Sequence, residues 1–492
     1  MRQTETGSYA PQLAFERPSV ENGAWRVNPD GSMDVTWKLR LNVRWHDGMP
    51  FTSEDMLFMF NLRKDPSVGS TPSGGGRPDL MESATAPDPL TFVVHWSQVY
   101  VRAEEAAGLE PLPRHLLKPL YRSGVESLVL SPYFRTDFIG LGPYRLVRWE
   151  QGSYIEFTRF DAYYQGRPAL DSVIVRFVSD PNAMVASILA EAVDVILPTG
   201  VELEAALEVK RRWEGTGNEV NAYPDGGLEQ LELQHRPEYA RPRGGFTVRT
   251  VLQAFYHAID RPTLAEAMTQ GLAPVADSWY APNDPVRKDV EAYIPLFPYD
   301  LARAQQLLEQ ASWTRGSDGA LIHRMTGERF EIEIQARQLT GIDKYLNVIA
   351  DGWKTIGAQV GFEILAPALA SDREHGATRP GPLITNPSGA NFYDRRLHSL
   401  YITSAANRWS GSNRGGYNNP RVDAILDRLA VTIDPRERIP LHRDLLQEQM
   451  IDIAVMPLFS TVVPILKLKG IKGPALAGRN GTPNIFEWDR GS

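Results

Sequence analysis

Residues 33–55 read MDVTWKLRLNVRWHDGMPFTSED, a stretch that contains the signals of a strand, a turn and a helix start. Apolar and polar side chains alternate over residues 33–39, which predicts a half-buried strand. The Asp-Gly pair and the proline within 46–50 predict a turn. A hydroxyl at Thr52 or Ser53 can then cap a helix. The apolar face of that helix would carry Met56, Leu57, Met59 and Phe60.

The size and charge of the chain exclude several classes of protein. Its 492 residues predict about three domains. Hydrophobic residues make up 42% and charged residues 23%, which excludes wholesale disorder. The net charge of −8 argues against a nucleic-acid-binding protein, which would carry a basic domain or stripe. No apolar stretch approaches the roughly 18 residues of a membrane span, so no membrane-spanning helix is predicted.

Cysteine is absent from the chain, which excludes disulfides, zinc–thiolate sites, iron–sulfur clusters and a cysteine nucleophile. The first seven residues, MRQTETG, lack the apolar segment of a secretory signal. We therefore expect either a cytoplasmic protein or an exported protein whose signal has been removed.

The remaining chain mixes strand and helix patterns. Strands are predicted at 144–149, 154–159 and 170–177, then a helix from Asp180-Pro181 and a strand at 193–196, an order that resembles a βαβ unit and suggests an α/β lobe. Further helices are predicted at 249–268, 301–311, 345–356, 421–429 and 440–453, with a strand at 328–336. The segment 368–416 is rich in Gly, Pro, Ser and Asn with little periodicity. A loop of that length predicts a functional role.

Four blocks of this sequence, in this order, resemble the family 5 extracellular solute-binding proteins of ABC importers, the oligopeptide-, dipeptide- and nickel-binding class. The resemblance covers most of the chain from about Pro11 onward. The blocks are residues 37–55; Gly140-Leu141-Gly142-Pro143-Tyr144 with 161–168 and Asp180-Pro181; Val248-Arg249 with Ala258-Ile259-Asp260-Arg261; and Gly416-Tyr417-Asn418-Asn419-Pro420 with Asp423.

The resemblance implies an α/β, two-lobed periplasmic-binding-protein-like fold (type II, cluster C-like) with an extra N-terminal domain. Carried onto this chain, 1–29 would be a remnant of lobe I and 30–140 the extra domain. Residues 141–247 would form lobe I, 248–467 lobe II, and 468–492 a return to lobe I. Family members usually have several dozen residues before the segment matching 9–14, so we expect either a trimmed chain or a shortened first lobe.

The function implied by the resemblance is that of the substrate-binding component of an ABC importer. Such a protein is periplasmic or extracellular, in some cases lipid-anchored, and expected to be a monomer without a cofactor. It would close about a hinge on one small polar ligand and deliver it to a membrane permease. A short peptide is the first expectation for the ligand, and an oligosaccharide or sugar-acid conjugate is the alternative. A carbohydrate-active hydrolase, and a receptor or chaperone without transport, are the hypotheses from other classes.

One candidate position bears on the ligand directly. In peptide-binding relatives the stretch matching 388–396 supplies an aspartate that pairs with the ligand's amino terminus. Asn391 stands near that position, although the alignment can slip to Asp394. A neutral amide at 391 would suit a hydroxyl, an amide or a carboxylate better than an ammonium group.

Arginines and aromatic residues supply the other candidates. The segment 368–416 contains six arginines but only three acidic residues. This local excess of positive charge could bind a carboxylate or phosphate group of the ligand. Alternatively, the arginines are solvated charges of a loop. Aromatic side chains could stack on the ligand or pack in the core. Residues 230, 232 and 234 present one polar strand face, either to solvent or to the cleft. The predicted ligand-binding residues are Asn391, Tyr393, Arg408, Trp409, Asn413, Trp279, Tyr280 and Gln234, with Arg408 beside Trp409 as the first candidates.

Enzyme and metal chemistry find little support in the sequence. There is no G-x-S-x-G, P-loop, H-E-x-x-H or dinucleotide-type G-x-G-x-x-G motif. The nine histidines are scattered without ligand spacing, so no metal site is predicted. We therefore predict a protein that binds its ligand without covalent chemistry.

Overall fold

The computed structural model describes residues 2–3, 9–68, 78–105, 109–198, 200–282, 284–338, 341–387, 393–476 and 481–491. The N-terminal part contains β1 (Arg2–Gln3), β2 (Tyr9–Ala10), β3 (Trp25–Val27), β4 (Met33–Lys38), α1 (Ser53–Lys64), β5 (Met81–Asp88), β6 (Thr91–Trp96), α2 (Arg114–Ser123) and α3 (Val125–Val129). The next part contains β7 (Tyr144–Glu150), β8 (Tyr154–Arg159), β9 (Ser172–Arg176), α4 (Pro181–Leu189), β10 (Val195–Ile196), α5 (Leu203–Arg212) and β11 (Glu219–Glu232).

The C-terminal half alternates helices and strands. It contains α6 (Arg249–His257), α7 (Arg261–Thr269), α8 (Arg287–Val290), α9 (Leu301–Gln310), β12 (Trp313–Arg315), β13 (Leu321–His323), β14 (Glu331–Arg337), α10 (Ile342–Thr355), β15 (Gln359–Leu365), α11 (Pro367–Ser371), α12 (Arg373–Thr378), β16 (Leu383–Thr385), α13 (Tyr393–Leu397), α14 (Pro420–Val431), α15 (Pro435–Asp452), β17 (Val455–Lys467), β18 (Ile471–Lys472) and β19 (Asp489–Arg490).

The stretch 33–55 folds as predicted. Residues 33–38 form the strand β4, and their alternation places Met33, Val35 and Trp37 inside. Helix α1 begins at Ser53 after Thr52, whose backbone N–H donates to the Asp55 carboxylate over 2.9 Å. The four-stranded antiparallel sheet runs β3-β4-β6-β5 and packs its own apolar core, to which four tryptophans contribute. This part of the chain therefore has an apolar core of its own, against which Leu141, Tyr164 and Ile433 also pack.

Two further cores lie at opposite ends of one six-stranded sheet, whose strand order is β10-β17-β11-β16-β14-β15. The smaller core includes Val220 of β11 and Leu466 of β17, together with residues of α4 and α5. The larger core includes Leu228 and Leu231 of β11 and Phe459 of β17. The antiparallel pair β11–β17 therefore extends from one core to the other.

The pairing of β11 with β17 is interrupted between the two cores. Pro224 lies opposite Val462, but Leu228 lies opposite Ser460, so β11 carries extra residues at 225–227. The Asp225 carboxylate accepts hydrogen bonds from the Gly227 backbone N–H (2.9 Å) and from the Thr461 hydroxyl, and the side chains of Asp225 and Thr461 are buried. The hydrogen bond from Thr461 to Asp225 thus joins the irregular part of β11 to the facing strand β17.

Replacement of Thr461 by valine tests the contribution of that contact. Valine keeps the shape of threonine but removes the donor to a buried carboxylate, so we expect the free energy of unfolding to fall by about 1.5–3 kcal/mol. Thr461→Ser keeps the hydroxyl and should lose less. Urea titration of the three proteins makes the comparison, and a stable Thr461→Val protein beside a destabilised Thr461→Ser protein would show that the methyl group, not the hydroxyl, is what matters.

Two predictions made from the sequence were wrong. The order β9–α4–β10 is not a βαβ unit, because β9 pairs with β8 in a three-stranded sheet whereas β10 pairs antiparallel with β17. A parallel crossover exists instead at β14–α10–β15. The segment 368–416 is also less irregular than predicted, since its described residues contain α12, β16 and α13.

The predicted domain limits remain a proposal, and the cores suggest one adjustment. Leu228, Leu231, Leu233 and Phe246 pack in the larger core, although the predicted limits assign 141–247 to lobe I. We propose that the chain passes between the lobes at residues 225–227 and returns opposite them at Thr461.

Candidate functional site

A buried cluster of charge lies where β11 ends. The Glu232 carboxylate is 6% exposed and binds two guanidinium groups, with Arg379 Nη2 at 3.1 Å from Oε1 and Arg396 Nη1 at 2.9 Å from Oε2. Arg414 lies close enough to act on the same carboxylate electrostatically. We call Glu232, Arg379, Arg396 and Arg414 the Glu232 cluster.

Charge pairing decides the ionisation of Glu232. Burial alone would raise its pKa, but the guanidinium groups of Arg379, Arg396 and Arg414 outweigh burial and hold the pKa below its ordinary value. The carboxylate is therefore ionised at neutral pH, and both of its oxygen atoms have a cationic partner.

The polar strand face predicted at residues 230, 232 and 234 is buried against the protein rather than exposed to solvent. Gln230 is 1% exposed and Gln234 is fully buried. The Gln234 amide donates to the carbonyl oxygens of Ala377 and Arg379, both at 2.9 Å, and accepts from Arg236 Nε at 3.1 Å. These bonds join the chain just after β11 to the end of α12, which is a structural role for Gln234.

Three more predicted residues are buried in the same lobe. Asn413 is 2% exposed, and its amide bonds the Tyr417 backbone at both N–H and C=O, over 3.0 and 2.7 Å. Trp279 and Tyr280 belong to the larger core, and the Tyr280 hydroxyl lies 2.8 Å from Nδ1 of His442. Burial lowers the pKa of that imidazole to about 3, so it is neutral. Such placement matches the core-packing alternative, and a ligand-binding role for these residues stays a prediction.

Arg408 and Trp409 lie elsewhere, on the surface. Arg408 is exposed and Trp409 is half-buried, directly after a single 3₁₀ turn at Ala405–Asn407. Both have left-handed backbone conformations, with φ of 54° and 56°. Two consecutive non-glycine residues in that region carry strain, and such strain is concentrated at functional sites. A ligand-binding role for Arg408 and Trp409 stays a prediction.

Asn391 lies outside the described residues, and Tyr393 begins helix α13. Sequence reasoning missed the Glu232 cluster as a unit. The alternation of residues 230, 232 and 234 showed one polar face, but it could not show that Arg379 and Arg396 would pair with its central carboxylate.

A pocket opens beside the Glu232 cluster. Its cavity volume is only about 10 Å³, room for about one water molecule. The walls come from the end of β11, from α13, from the loop 412–417 and from the start of β17. Its lining residues are Gln230, Glu232, Leu233, His235, Arg396, Ser412, Asn413, Arg414, Gly415, Tyr417, Ala454 and Val455. We call this space the Arg414 pocket.

No metal-binding arrangement is present in the part of the chain that the structure describes: no three His, Asp or Glu side chains there are grouped so as to hold an ion. Nor does any helix within the described ranges have the length and apolar character needed to cross a bilayer.

The two lobes are joined by the antiparallel strands β11 and β17, an architecture that can close on a solute. The family model for bacterial extracellular solute-binding proteins, family 5, matches residues 17–403, and the chain belongs to that family. The family predicted from the four sequence blocks is thereby confirmed.

Individual relatives agree with the family assignment. The chain is 28% identical over 438 residues to a Brucella ovis protein whose name assigns it provisionally to peptide binding by an ABC transporter, covering 86% of this chain and 74% of the relative. It is 25% identical over 345 residues to the oligopeptide-binding protein AppA of Bacillus subtilis, covering 68% of this chain and 59% of AppA.

Solved structures confirm the two-lobed fold. AppA of Bacillus subtilis in complex with a nonapeptide superposes with a TM-score of 0.78 at 20% identity, over 100% of this chain and 92% of AppA. NikZ of Campylobacter jejuni in complex with Ni(L-His) superposes with a TM-score of 0.79 at 21% identity, over 99% and 92%.

Proposed function

We propose that this protein is the solute-binding component of an ABC importer and that it captures a short peptide between its two lobes. The observation that carries the proposal is the β11–β17 pair, which joins the two cores and is irregular between them. A joint of this kind permits closure on a solute, and the solute's additional contacts in the closed form would shift the population toward it. Peptide as the solute rests on the names of relatives such as AppA.

Location and partners follow from the same proposal. The protein would work outside the cytoplasmic membrane, in the periplasm or at the cell surface, and would deliver its solute to a membrane permease. It would do so as a monomer and without covalent chemistry. A lipid anchor is compatible with this role.

A thermal-shift screen tests the identity of the solute. Because a solute that binds only the folded state raises the melting temperature by mass action, we would compare di- to pentapeptides with oligosaccharides, sugar acids, haem and nickel–histidine. A response confined to peptides supports the proposal. A response confined to another class would replace peptide as the solute, and product formation from an oligosaccharide would contradict the whole proposal in favour of a hydrolase.

The exposed Arg408 and the half-buried Trp409 beside it give the sharpest variant test of binding. We expect Arg408→Ala and Trp409→Ala each to weaken binding of the peptide found in the screen by at least about tenfold, because truncating an aromatic or arginine anchor costs on the order of 2 kcal/mol. Stability should change by less than about 0.5 kcal/mol for Arg408, since its side chain is exposed.

The matched control is Arg373→Ala, which removes an exposed arginine from the same segment of the chain. Calorimetric titration of all three variants provides the comparison. Unchanged affinity in the Arg408 and Trp409 variants would remove this loop from the binding site.

A further inference from the structure

The segment 114–138, which contains α2 and α3, buries one set of apolar side chains and exposes another. The buried set includes Leu117, Leu128 and Tyr133, which pack with residues of α1 in a small core. The exposed set lies in the second half of the segment, and we call it the Leu130 patch. It consists of Val129, Leu130, Phe134 and Phe138.

The members of the Leu130 patch lie close together. Leu130 ends α3 and is 69% exposed, and Phe134 follows it in a single 3₁₀ turn, with its N–H donating to the Ser131 carbonyl oxygen over 3.2 Å. Phe134 and Phe138 are each 45% exposed, and their rings lie 5.0 and 5.5 Å from the ring of Tyr133. Single exposed apolar residues are ordinary, but a group of large ones marks a surface that contacts a membrane or another protein.

Positive charge accompanies the Leu130 patch. The segment 114–138 has only two acidic residues, Glu126 and Asp137, in a chain whose net charge is −8. Arg122 precedes the turn at Gly124 between α2 and α3, and Arg135 directly follows a member of the patch. The cationic residues of the segment are Arg114, Lys118, Arg122 and Arg135. Three of them recur at every fourth position of α2 and therefore lie along one side of that helix.

Acidic side chains that contact this segment bind other groups. The Asp47 carboxylate lies 2.6 Å from Nε2 of His115, and the Asp65 carboxylate accepts from the Tyr121 hydroxyl. The Asp137 carboxylate accepts from the Thr136 hydroxyl over 2.8 Å. The exposed surface of the segment therefore combines apolar side chains with an excess of cations.

We propose that the Leu130 patch binds the surface of a bilayer that contains anionic lipids. The apolar side chains would enter the boundary between headgroups and acyl chains. Lys118, Arg122 and Arg135 have long side chains, which would reach the anionic headgroups beside that boundary. Apolar side chains alone would fit a protein partner equally well, and it is the accompanying cations that favour anionic lipid. This inference goes beyond solute binding and does not depend on which solute the protein captures.

Flotation with protein-free vesicles tests the proposal. The whole chain is mixed with vesicles of pure phosphatidylcholine, or of phosphatidylcholine and phosphatidylglycerol in equal amounts, and the bound fraction gives a partition coefficient. We expect the coefficient to be at least about tenfold higher on the anionic vesicles, because several cations act together. Added sodium chloride should reduce this difference, since it screens charges near the surface.

Variants separate the two parts of the surface. The double substitution Leu130→Ser and Phe134→Ser should lower the partition coefficient on anionic vesicles at least about tenfold. Arg122→Gln and Arg135→Gln should each lower it about fivefold. All of these side chains are exposed, so the melting temperature should stay close to that of wild type.

Two matched controls remove similar side chains elsewhere. Met325→Ser replaces an apolar side chain that is 82% exposed after β13, and Arg373→Gln replaces an exposed arginine of α12. Both should partition like wild type. Equal partition of wild type and the Leu130/Phe134 variant would overturn the patch, and equal partition on neutral and anionic vesicles would overturn the role of the cations.

Other occupants of the patch give different results. If wild type binds no protein-free vesicle but does bind native membrane vesicles, and the Leu130/Phe134 variant does not, the occupant is a membrane protein and the lipid proposal is wrong. A dimer of wild type in sedimentation that the same variant loses would make the occupant a second copy of this chain. Because the solute screen uses a different readout, failure of the peptide proposal and failure of the lipid proposal remain distinguishable.

Discussion

Glu232→Gln is expected to lower the free energy of unfolding by about 3–5 kcal/mol. The substitution keeps the size of the side chain but removes the negative charge that two buried or half-buried guanidinium groups share. Arg379 is then left as an unpaired cation with a fully buried side chain, and removing one partner of a buried ion pair carries a penalty of this size. Urea unfolding followed by tryptophan fluorescence measures the loss.

Glu219→Gln is the matched control on the same strand. Glu219 pairs with Lys467 over 3.3 Å, but its side chain is 53% exposed, and a surface pair of this kind contributes about 0–1 kcal/mol. Arg379→Met in the Glu232→Gln background should recover part of the loss, because it removes the cation left unpaired. Similar losses for Glu219→Gln and Glu232→Gln would contradict the account of the buried cluster.

The same carboxylate predicts a dependence on pH. The folded-state pKa of Glu232 is lowered, so its contribution is fully present above the unfolded value of about 4.3 and is lost as the pH falls through the folded-state value. The stability difference between wild type and Glu232→Gln should therefore shrink below about pH 4.

Gly352→Ala is expected to lower the free energy of unfolding by about 3 kcal/mol or more. Gly352 lies within α10, where alanine would ordinarily add up to about 1 kcal/mol of helix stability. A Cβ atom here, however, would overlap the carbonyl oxygen of Ala258, at the end of α6. Backbone must move to relieve that contact, and the site is fully packed, with Trp353 donating to the Phe255 carbonyl at 2.9 Å.

Gly361→Ala gives the comparison for glycine replacement. Gly361 is exposed and lies in β15, the strand that follows α10. A Cβ atom added there would have no neighbouring atom nearer than 4.0 Å. This substitution should be neutral or stabilising by a few tenths to about 1 kcal/mol. A stable Gly352→Ala protein with an unchanged melting temperature would show that α10 and α6 lie farther apart than in this structure.

Local patterns predicted the elements well where one face of an element is buried. The strand β4 and helix α1 lie within a residue of their predicted starts because alternation and a hydroxyl–acid cap are local signals. The predicted helix from Asp180-Pro181 and the predicted strand near 195–196 are both present in the structure. The pairing of that strand with β17 was not predicted. Strand pairing depends on residues far away in the chain, which no local pattern specifies.

The candidate site was predicted less well than the fold. A tryptophan pattern is the same whether the ring packs in a core, as Trp279 does, or on the surface, as Trp409 does. The excess of arginine between 368 and 416 could be read from the sequence, but the burial of each arginine could not. Arg379 has 1% of its surface exposed, whereas Arg408 is exposed. That distinction arises only when the segment folds against β11.

The strands β11 and β17 are hydrogen-bonded to each other on both sides of the irregularity at 225–227. A bend in one of these strands therefore requires a bend in the other, so opening and closing of the two lobes would be one concerted motion. Every solute would then meet the same conformational cost, and the order of preference among solutes would reflect their contacts alone. A substitution at this joint should multiply all dissociation constants by one common factor and leave the selectivity of the protein unchanged.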